Sequence, residues 1–191
     1  MELVFATHNQ HKLSELQGIL GNRFSLISLD DLKHVQEIDE TGKTLIENAL
    51  LKAKFIFNQY HMSTFADDTG LEIDALNGAP GVFSARFAGE EKSSINNMNK
   101  VLDLMKTTQN RAARFKTVIA LIINGNEYLF EGTVNGQILE KPRGINGFGY
   151  DPIFQPEGFS QSFAEMDSKT KNKISHRAKA VEQLTHFLHT L

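Results

Sequence analysis

The chain of 191 residues contains no cysteine, so disulfide bonds and thiolate metal sites are excluded. It also has no excess of basic charge. The formal net charge is −3 at pH 7, which argues against a protein that works on duplex nucleic acid. A small anionic ligand remains compatible with this charge, because a local cluster of lysine and arginine can bind phosphates inside an acidic protein.

Long hydrophobic runs are also missing, and no stretch approaches the roughly 18 apolar residues of a membrane span. Residues 1–6 lack the basic segment of a signal peptide and lead directly into the polar residues His8, Asn9 and Gln10. We therefore expect a cytoplasmic protein that binds no membrane. The apolar content of 40% and the charged content of 23% are those of an ordinary globular protein.

Apolar residues recur along the chain with both helical and strand-like periods. Short apolar runs favour buried strands, and spacings of three and four residues favour helices packed along one face. The pattern predicts strands at residues 3–6, 25–29, 64–66, 71–76, 115–123 and 128–134, and helices at 13–20, 44–60 and 92–106 and after Ser175.

Turn signals separate these segments. Gly21 and Asn22 should end the first helix, residues 77–81 form a strong turn signal, and Asn124 with Gly125 predicts a tight hairpin. Because hairpins and crossovers are both implied, the sequence predicts an α/β protein with a mixed sheet. We expect residues 1–191 to form a single domain, with any second lobe inserted near residues 115–140.

The polar segment of residues 7–12 follows the first predicted strand and opens the first predicted helix. Free backbone N–H groups and the helix dipole favour a phosphate at such a position. Asn9 can donate from its side chain, and Lys12 adds a positive charge one turn into the helix. A polar capping loop with a solvated lysine explains the same pattern without any ligand.

Two acidic segments are candidates for a metal site. Asp67 and Asp68 are adjacent at the end of a predicted apolar strand, and placing two carboxylates together there costs free energy unless a cation lies beside them. Mg²⁺ prefers carboxylate, water and phosphate oxygens as ligands. A carboxylate beside such a metal can also accept a proton from attacking water. An Asx turn before Gly70 would explain the pair equally well. Asp39 and Glu40 are a weaker second source of a metal carboxylate, since acidic residues before a helix also pair with its dipole.

Three further features carry chemistry only in combination. Lys52 flanks the apolar stripe of a predicted helix, where a lysine normally extends to water. Phe148 and Tyr150, between glycines, could stack on a nucleobase or pack in the core. If Ser175 caps the last helix, His176 and Arg177 lie at its exposed N-terminus.

Taken together and in this order, these segments resemble the Ham1/RdgB-like family, the inosine triphosphate pyrophosphatases. The resemblance extends from residue 5 to residue 178, and its long Gly-Phe-Gly-Tyr-Asp-Pro and Ser-His-Arg motifs are specific. It implies a long mixed central β-sheet flanked by helices, two lobes with an active-site cleft between them, and a homodimer. The implied reaction uses Mg²⁺ to hydrolyse ITP, dITP and XTP at the α–β phosphoanhydride, which removes these nucleotides from the pool as monophosphate and pyrophosphate.

The resemblance also implies roles for individual residues. Asp68 should be the proton acceptor and a Mg²⁺ ligand, Lys52 should support catalysis, and Asp39 should be the second metal residue, with Glu40 as the alternative. His8 departs from the glycine usual at its position in bacterial members, and Thr69 replaces a serine. The implied substrate-binding residues are Thr7, His8, Asn9, Gln10, His11, Lys12, Thr69, Phe148, Gly149, Tyr150, Asp151, Lys171, His176 and Arg177.

Base selectivity is predicted from donors and acceptors. Arg177 only donates hydrogen bonds, so it suits the 6-oxo group of inosine and xanthine but not the 6-amino group of adenine. Three other functions would fit parts of the pattern. They are a pyrophosphatase for modified pyrimidine nucleotides, a nucleotide-sensing or RNA-binding module without turnover, and a structural scaffold.

Overall fold

The computed structural model of the chain describes residues 2–20 and 24–190. Seven strands form one mixed sheet in the order β2-β1-β3-β5-β6-β7, and β4 pairs with β3. The strands are β1 (Glu2–Phe5), β2 (Ser25–Ser28), β3 (Thr64–Ile73), β4 (Pro80–Gly81), β5 (Ala112–Ile123), β6 (Asn126–Ile138) and β7 (Phe154–Pro156). The α-helices are α1 (Gln10–Leu20), α2 (Leu45–Tyr60), α3 (Ser94–Leu104), α4 (Ser168–Ile174) and α5 (His176–Leu188).

The long helix α2 confirms the predicted helix at residues 44–60 to within one residue. Thr44 caps it by accepting a hydrogen bond from the Glu47 backbone N–H, and His61 ends it in the left-handed region with φ 54°. Its buried face combines the predicted apolar stripe with two polar residues. These buried residues are Leu45, Asn48, Ala49, Lys52, Ala53 and Ile56.

The predicted hairpin is also confirmed. Asn124 and Gly125 have φ angles of 51° and 77° and join β5 to β6, as expected for a two-residue turn. The two strands extend beyond the predicted ranges of 115–123 and 128–134. The extensions matter for the fold, because each strand then contributes residues to both of the compact units into which the chain divides.

Strand β3 corrects the prediction of two short strands at residues 64–66 and 71–76. It runs without interruption from Thr64 to Ile73, and residues 74–76 form a 3₁₀ turn. Aspartate and glycine are poor strand formers, so the segment of residues 67–70 was expected to break the strand. Strand pairing and the ion pairs of the buried aspartates outweigh that local preference. Asp67 and Asp68 therefore point to opposite faces of one strand.

The described residues divide into two compact units. The first contains the chain up to Asp68, Thr117–Gly132 and the chain from Arg177 onward, and the second contains Thr69–Lys116 and Thr133–His176. The predicted position of an inserted second lobe, near residues 115–140, was therefore wrong, because Thr117–Gly132 belongs to the first unit. The predicted helix end at Gly21 and Asn22 lies outside the described residues.

Each unit has its own hydrophobic core. The first core packs β1, β3 and β5 against α1 and α5, and it includes the stacked rings of Phe5 and Phe65, whose centroids are 4.7 Å apart. The second core packs α3 against strand residues and includes Phe115, Phe154 and Phe163. Within the described ranges, no helix combines the length and apolarity needed to cross a membrane.

Candidate active site

The candidate site in the first unit begins where β1 and β3 run side by side. The two strands are parallel, with Phe5 opposite Phe65, and the Ala6 N–H donates to the Phe65 carbonyl at 2.9 Å. Beyond this point the first chain segment enters the predicted phosphate-binding loop, residues 7–12, called the phosphate loop below, while β3 continues into Asp67 and Asp68. Carboxyl ends of parallel strands share one edge, so the predicted phosphate loop and the aspartate pair lie at the same place.

The phosphate loop is ordered by its own side chains. Asn9 Oδ1 accepts hydrogen bonds from the backbone N–H groups of His11 at 3.0 Å and Lys12 at 3.3 Å, so Asn9 caps α1. Thr7 Oγ1 accepts in turn from the Asn9 N–H at 3.2 Å. The Asn9 oxygen thus serves the helix N-terminus, and the expected donation from the Asn9 amide group to phosphate stays a prediction. Gln10 and His11 are both exposed.

Asp67 is a buried carboxylate that holds two cations. It is 3% exposed and accepts from Lys12 Nζ at 2.9 Å and from Arg177 Nε and Nη2 at 3.4 and 3.3 Å. Arg177 Nη1 pairs with Glu15. Burial alone would raise the pKa of Asp67, but the charges of Lys12, Arg177 and Lys52 outweigh burial and hold it well below its usual range. Asp67 is therefore ionised and fixes Lys12 and Arg177 in place.

Asp68 has different partners on the other face of β3. It is 7% exposed, and it accepts from Asn48 Nδ2 at 3.2 Å and from Lys52 Nζ at 3.3 Å. Lys52 Nζ also donates to Glu40 at 2.5 Å. Burial raises the pKa of Asp68, and the cations Lys52 and Lys12 offset only part of that effect. Of the two adjacent aspartates, Asp68 is the more basic, which suits a proton acceptor.

Lys52 itself does not extend to water as the sequence pattern suggested. Only 8% of the residue is exposed. Burial favours the neutral amine, but Asp68, Glu40 and Asp67 outweigh burial and raise the pKa of Lys52. A charged ammonium is therefore held between two carboxylates, Asp68 and Glu40, and can serve as a fixed positive charge.

The loop before α2 brings Glu40, rather than Asp39, to this cluster. The Gly42 N–H donates to Asn48 Oδ1 at 2.8 Å, and a Cβ at Gly42 would lie only 2.5 Å from that oxygen. This close approach anchors the loop to α2 and leaves Glu40 against Lys52, whereas Asp39 is exposed. Asn48 thus connects the loop to the Asp68 side of the site.

The carboxylates near Lys52 suit Mg²⁺ better than they suit a metal ion whose ligands all come from the protein. In the described ranges 2–20 and 24–190, no group of three or more histidine, aspartate and glutamate side chains could hold a metal ion. Mg²⁺ is usually held by one or two carboxylates, with water and substrate phosphates completing the shell. Asp68 and Glu40 supply two such carboxylates around one ammonium.

A second cluster lies in the second unit, around the loop after β6. Lys171 and Asp151 are 5% and 3% exposed and pair at 2.8 Å, and the Phe148 N–H donates to the same Asp151 oxygen at 2.8 Å. Lys171 Nζ lies 5.0 Å from the centroid of the Phe148 ring. Gly147 has φ 74°, and a Cβ there would overlap Asp151 Oδ2. Asp151 therefore holds this loop and its aromatic ring in one conformation.

The two aromatic residues of this loop have different roles. Tyr150 is 5% exposed and donates from its hydroxyl to the Ser84 carbonyl at 2.8 Å. Burial raises the pKa of Tyr150. Phe148 is half-buried, so it is the ring of the pair that suits stacking on a base. Gly149, with φ 62°, lies between them.

His176 and Arg177, predicted at an exposed helix N-terminus, are buried instead. His176 is 4% exposed and stacks on Phe115 with ring centroids 4.6 Å apart, and Arg177 is 2% exposed. Their burial is explained by their partners, because an aromatic ring covers His176 and two carboxylates compensate the charge of Arg177.

Thr69, another predicted nucleoside contact, is half-buried on β3, directly after Asp68.

Sequence reasoning missed Glu15 and did not assign a role to Asn48. Glu15 is three residues after Lys12 in α1, and this spacing alone predicts that both side chains lie on one side of the helix. The partner of Glu15 was not detectable, because Arg177 is 162 positions away. Asn48 is four residues before Lys52, so their shared orientation was visible but not their common contact with Asp68.

Comparisons with known proteins agree over the length of the chain. A family model described as the Ham1 family matches residues 3–187. A dITP/XTP pyrophosphatase of Flavobacterium johnsoniae is 50% identical over 98% of both chains, and one of Christiangramia forsetii is 51% identical over 98% of this chain and 99% of its own. The solved structure of a HAM1 protein from Coxiella burnetii superposes with a TM-score of 0.92 at 41% identity, covering 100% of both chains.

Proposed function

The chain belongs to the Ham1 family, and we propose that it is a nucleoside-triphosphate pyrophosphatase acting on dITP, XTP and ITP. The observation that carries the proposal is the adjacent pair Asp67 and Asp68 in the first unit. One carboxylate is kept ionised by two cations, and the other is made more basic by burial. Opposite pKa shifts at neighbouring carboxylates separate an electrostatic anchor from a proton acceptor.

The phosphate loop and its two lysines would bind the triphosphate. Lys12 enters from α1 and Lys52 from α2, and both ammonium groups are largely buried. Charges fixed in a partly buried site require little reorganisation when negative charge develops on a leaving group. We assign Lys12 and Lys52 to offsetting the charge of the departing pyrophosphate.

Asp68 would accept the proton of the attacking water while the α–β phosphoanhydride breaks, giving the nucleoside monophosphate and pyrophosphate. Asn48 and Lys52 orient its carboxylate from two sides. We assign Asp68 and Glu40 as the residues that hold Mg²⁺, with Glu40 in place of the predicted Asp39. The metal, when bound, supplies positive charge to the phosphates and lowers the pKa of water.

The second cluster would bind the nucleoside. The half-buried ring of Phe148 offers a stacking surface, and Lys171 beside it is a donor without acceptor capacity. Tyr150 supports this loop from the core rather than by contacting the base. We keep Thr69, Gly149 and His176 as proposed nucleoside contacts on the resemblance alone.

Arg177, which donates from Nε and Nη2 to Asp67 and from Nη1 to Glu15, is the proposed reader of the 6-oxo group. Arg177→Ala should lower the ratio of kcat/KM for ITP to that for ATP by about tenfold, since a lost pairing to a buried polar group costs on the order of 1–3 kcal/mol. The ratio cancels any loss of folded enzyme. Arg177→Lys, which keeps the charge, is the matched variant, and an unchanged ratio in Arg177→Ala would remove the base-reading role.

The reaction itself is tested by identifying its products. Incubating dITP with the protein and Mg²⁺ in ¹⁸O-labelled water, followed by ³¹P NMR, should give dIMP and pyrophosphate, with one labelled oxygen per turnover. Chelation with EDTA should stop the reaction. Formation of dIDP and orthophosphate would instead indicate a different phosphohydrolase and would reject the proposal.

We extend the proposal to a cytoplasmic homodimer that acts on free nucleotides rather than on nucleic acid. The dimer follows from the family resemblance, and the location is the one that the sequence features predict. Light scattering coupled to size-exclusion chromatography should give a mass of about twice the 21.4 kDa of one chain. A monomer at all concentrations would reject the oligomeric part of the proposal without affecting the reaction.

A further inference from the structure

The turn after β2 contacts the phosphate loop through the side chain of Asp30. In this turn, Asp30 Oδ2 accepts a hydrogen bond from Gln10 Nε2 at 2.8 Å, and Asp30 Oδ1 lies 3.5 Å from His8 Nδ1. One carboxylate therefore contacts two side chains of the loop. The turn is itself fixed, because the Asp31 carboxylate accepts from the backbone N–H and the hydroxyl of Ser28.

The imidazole of His8 also rests on a second ring from the same segment. His34 is 4% exposed, and its ring lies 6.1 Å from that of His8, at an angle of 15°. The Tyr60 hydroxyl lies 3.1 Å from His34 Nδ1, and Phe55 meets the His34 ring edge-on. His8 is thus held between a carboxylate and a fixed ring, while 39% of its side chain remains exposed.

We propose that Asp30 is a positioning residue for triphosphate binding, acting through His8. The inference rests on the proposed function, because it takes the phosphate loop as the place where the triphosphate binds. With Nδ1 of His8 directed at Asp30, the remaining donor of the imidazolium is Nε2–H. When the imidazole carries both protons, the same ring can donate from Nδ1 to Asp30 and from Nε2 to a phosphate oxygen, and both are charge-assisted hydrogen bonds.

A simpler role for Asp30 would have the opposite sign. A carboxylate near a polyphosphate site repels the ligand through space, so removing its charge would tighten binding. If Asp30 instead orients His8, removing the charge weakens binding. Asp30→Asn separates the two roles cleanly, because the asparagine amide oxygen still accepts from Gln10 and leaves that contact in place.

Calorimetry with inorganic triphosphate tests the positioning role in the full chain. Asp30→Asn and His8→Ala should each raise the Kd by about fivefold, the upper end for an exposed ion pair, because 61% of the Asp30 side chain is exposed. The double variant should bind no more weakly than His8→Ala alone, because both substitutions act through one ring. Asp103→Asn, at an exposed carboxylate paired with exposed Lys106, makes the same change in net charge and should leave the Kd within about twofold.

Tighter binding by Asp30→Asn would overturn the proposal in favour of repulsion, and additive losses in the double variant would show that Asp30 does not act through His8. Kinetics with dITP add a second readout, in which KM rises and kcat stays within about twofold. If the expected binding pattern appears but wild type releases no pyrophosphate, the proposed function fails and the positioning role stands. If wild type turns over dITP but Asp30→Asn has an unaltered Kd, the positioning role fails and the proposed function stands.

Discussion

Replacing Asp67 by asparagine should destabilise the fold far more than the same change of charge at the surface. The carboxylate is 3% exposed and is shared by Lys12 and Arg177. Asparagine leaves these buried cations without their common anion. Removing one partner of a buried ion pair costs about 3–5 kcal/mol, and we expect a loss of about 3 kcal/mol because Glu15 still pairs with Arg177.

Urea and thermal unfolding measure this loss. For a chain of this length, 1 kcal/mol lowers the Tm by about 2–4 °C, so Asp67→Asn should lower it by roughly 6–12 °C. Asp103→Asn is the matched control for net charge. Its exposed pair with Lys106 contributes little, and its stability should stay within about 1 kcal/mol of wild type.

The acid dependence of the same difference gives an independent check. Because the pKa of Asp67 is held below its usual range, the unfolded state binds more protons than the folded state between that pKa and about pH 4, and stability rises with pH there. The advantage of wild type over Asp67→Asn should be full above about pH 5 and shrink as the pH falls below about 4. An asparagine variant as stable as wild type, or a difference that does not shrink on acidification, would refute the reasoning.

Three further predictions concern the reaction and the second cluster. Asp68→Asn should lower kcat by about a hundredfold or more with KM little changed, as pyrophosphate release would show. Thermal unfolding should show no loss of stability, because burial already disfavours the charged form of Asp68. Gly147→Ala should raise KM for dITP, because its Cβ would displace Asp151 from Lys171, whereas Gly125→Ala, in the open hairpin turn, should leave KM unchanged. In alkaline titration followed by tyrosinate absorbance, one of the three tyrosines should titrate later than the others, and Tyr150→Phe should abolish that late step.

The elements that could be predicted from the sequence are those whose local signals agree with their packing. Helix α2 has a capping threonine, a sustained apolar stripe and a left-handed end, and the first two features are visible in the sequence. The hairpin at Asn124 and Gly125 is of the same kind, because the turn residues alone specify the backbone.

Strand β3 shows where local reasoning fails. Asp67, Asp68 and Gly70 are typical of a strand end, yet the strand continues through them. The cations that make the two buried carboxylates tolerable come from α1, α2 and α5, and one of them is 110 positions away. Sequence proximity carries no information about such partners.

The candidate site was predictable in its residue types but not in its pairings. The motifs indicated Lys12, Lys52, Asp67 and Asp68 for phosphate and metal and Arg177 for the base, and the structure places all five in the first unit. They did not show that Asp67 pairs with Lys12 and Arg177 while Asp68 pairs with Lys52. The opposite pKa shifts of the two aspartates, on which the proposed mechanism depends, reflect this division of charges together with the burial of both carboxylates.

Steady-state pyrophosphate release tests the central proposal most directly. Wild type and Asp68→Asn should be assayed in parallel with Mg²⁺ at mildly alkaline pH, on ITP, XTP, dITP, GTP, ATP and a pyrimidine triphosphate. We predict fast release by wild type from the first three nucleotides, slow release from the others, and loss of the fast release in Asp68→Asn. Equal rates on all six substrates, or undiminished turnover in Asp68→Asn, would contradict the proposal.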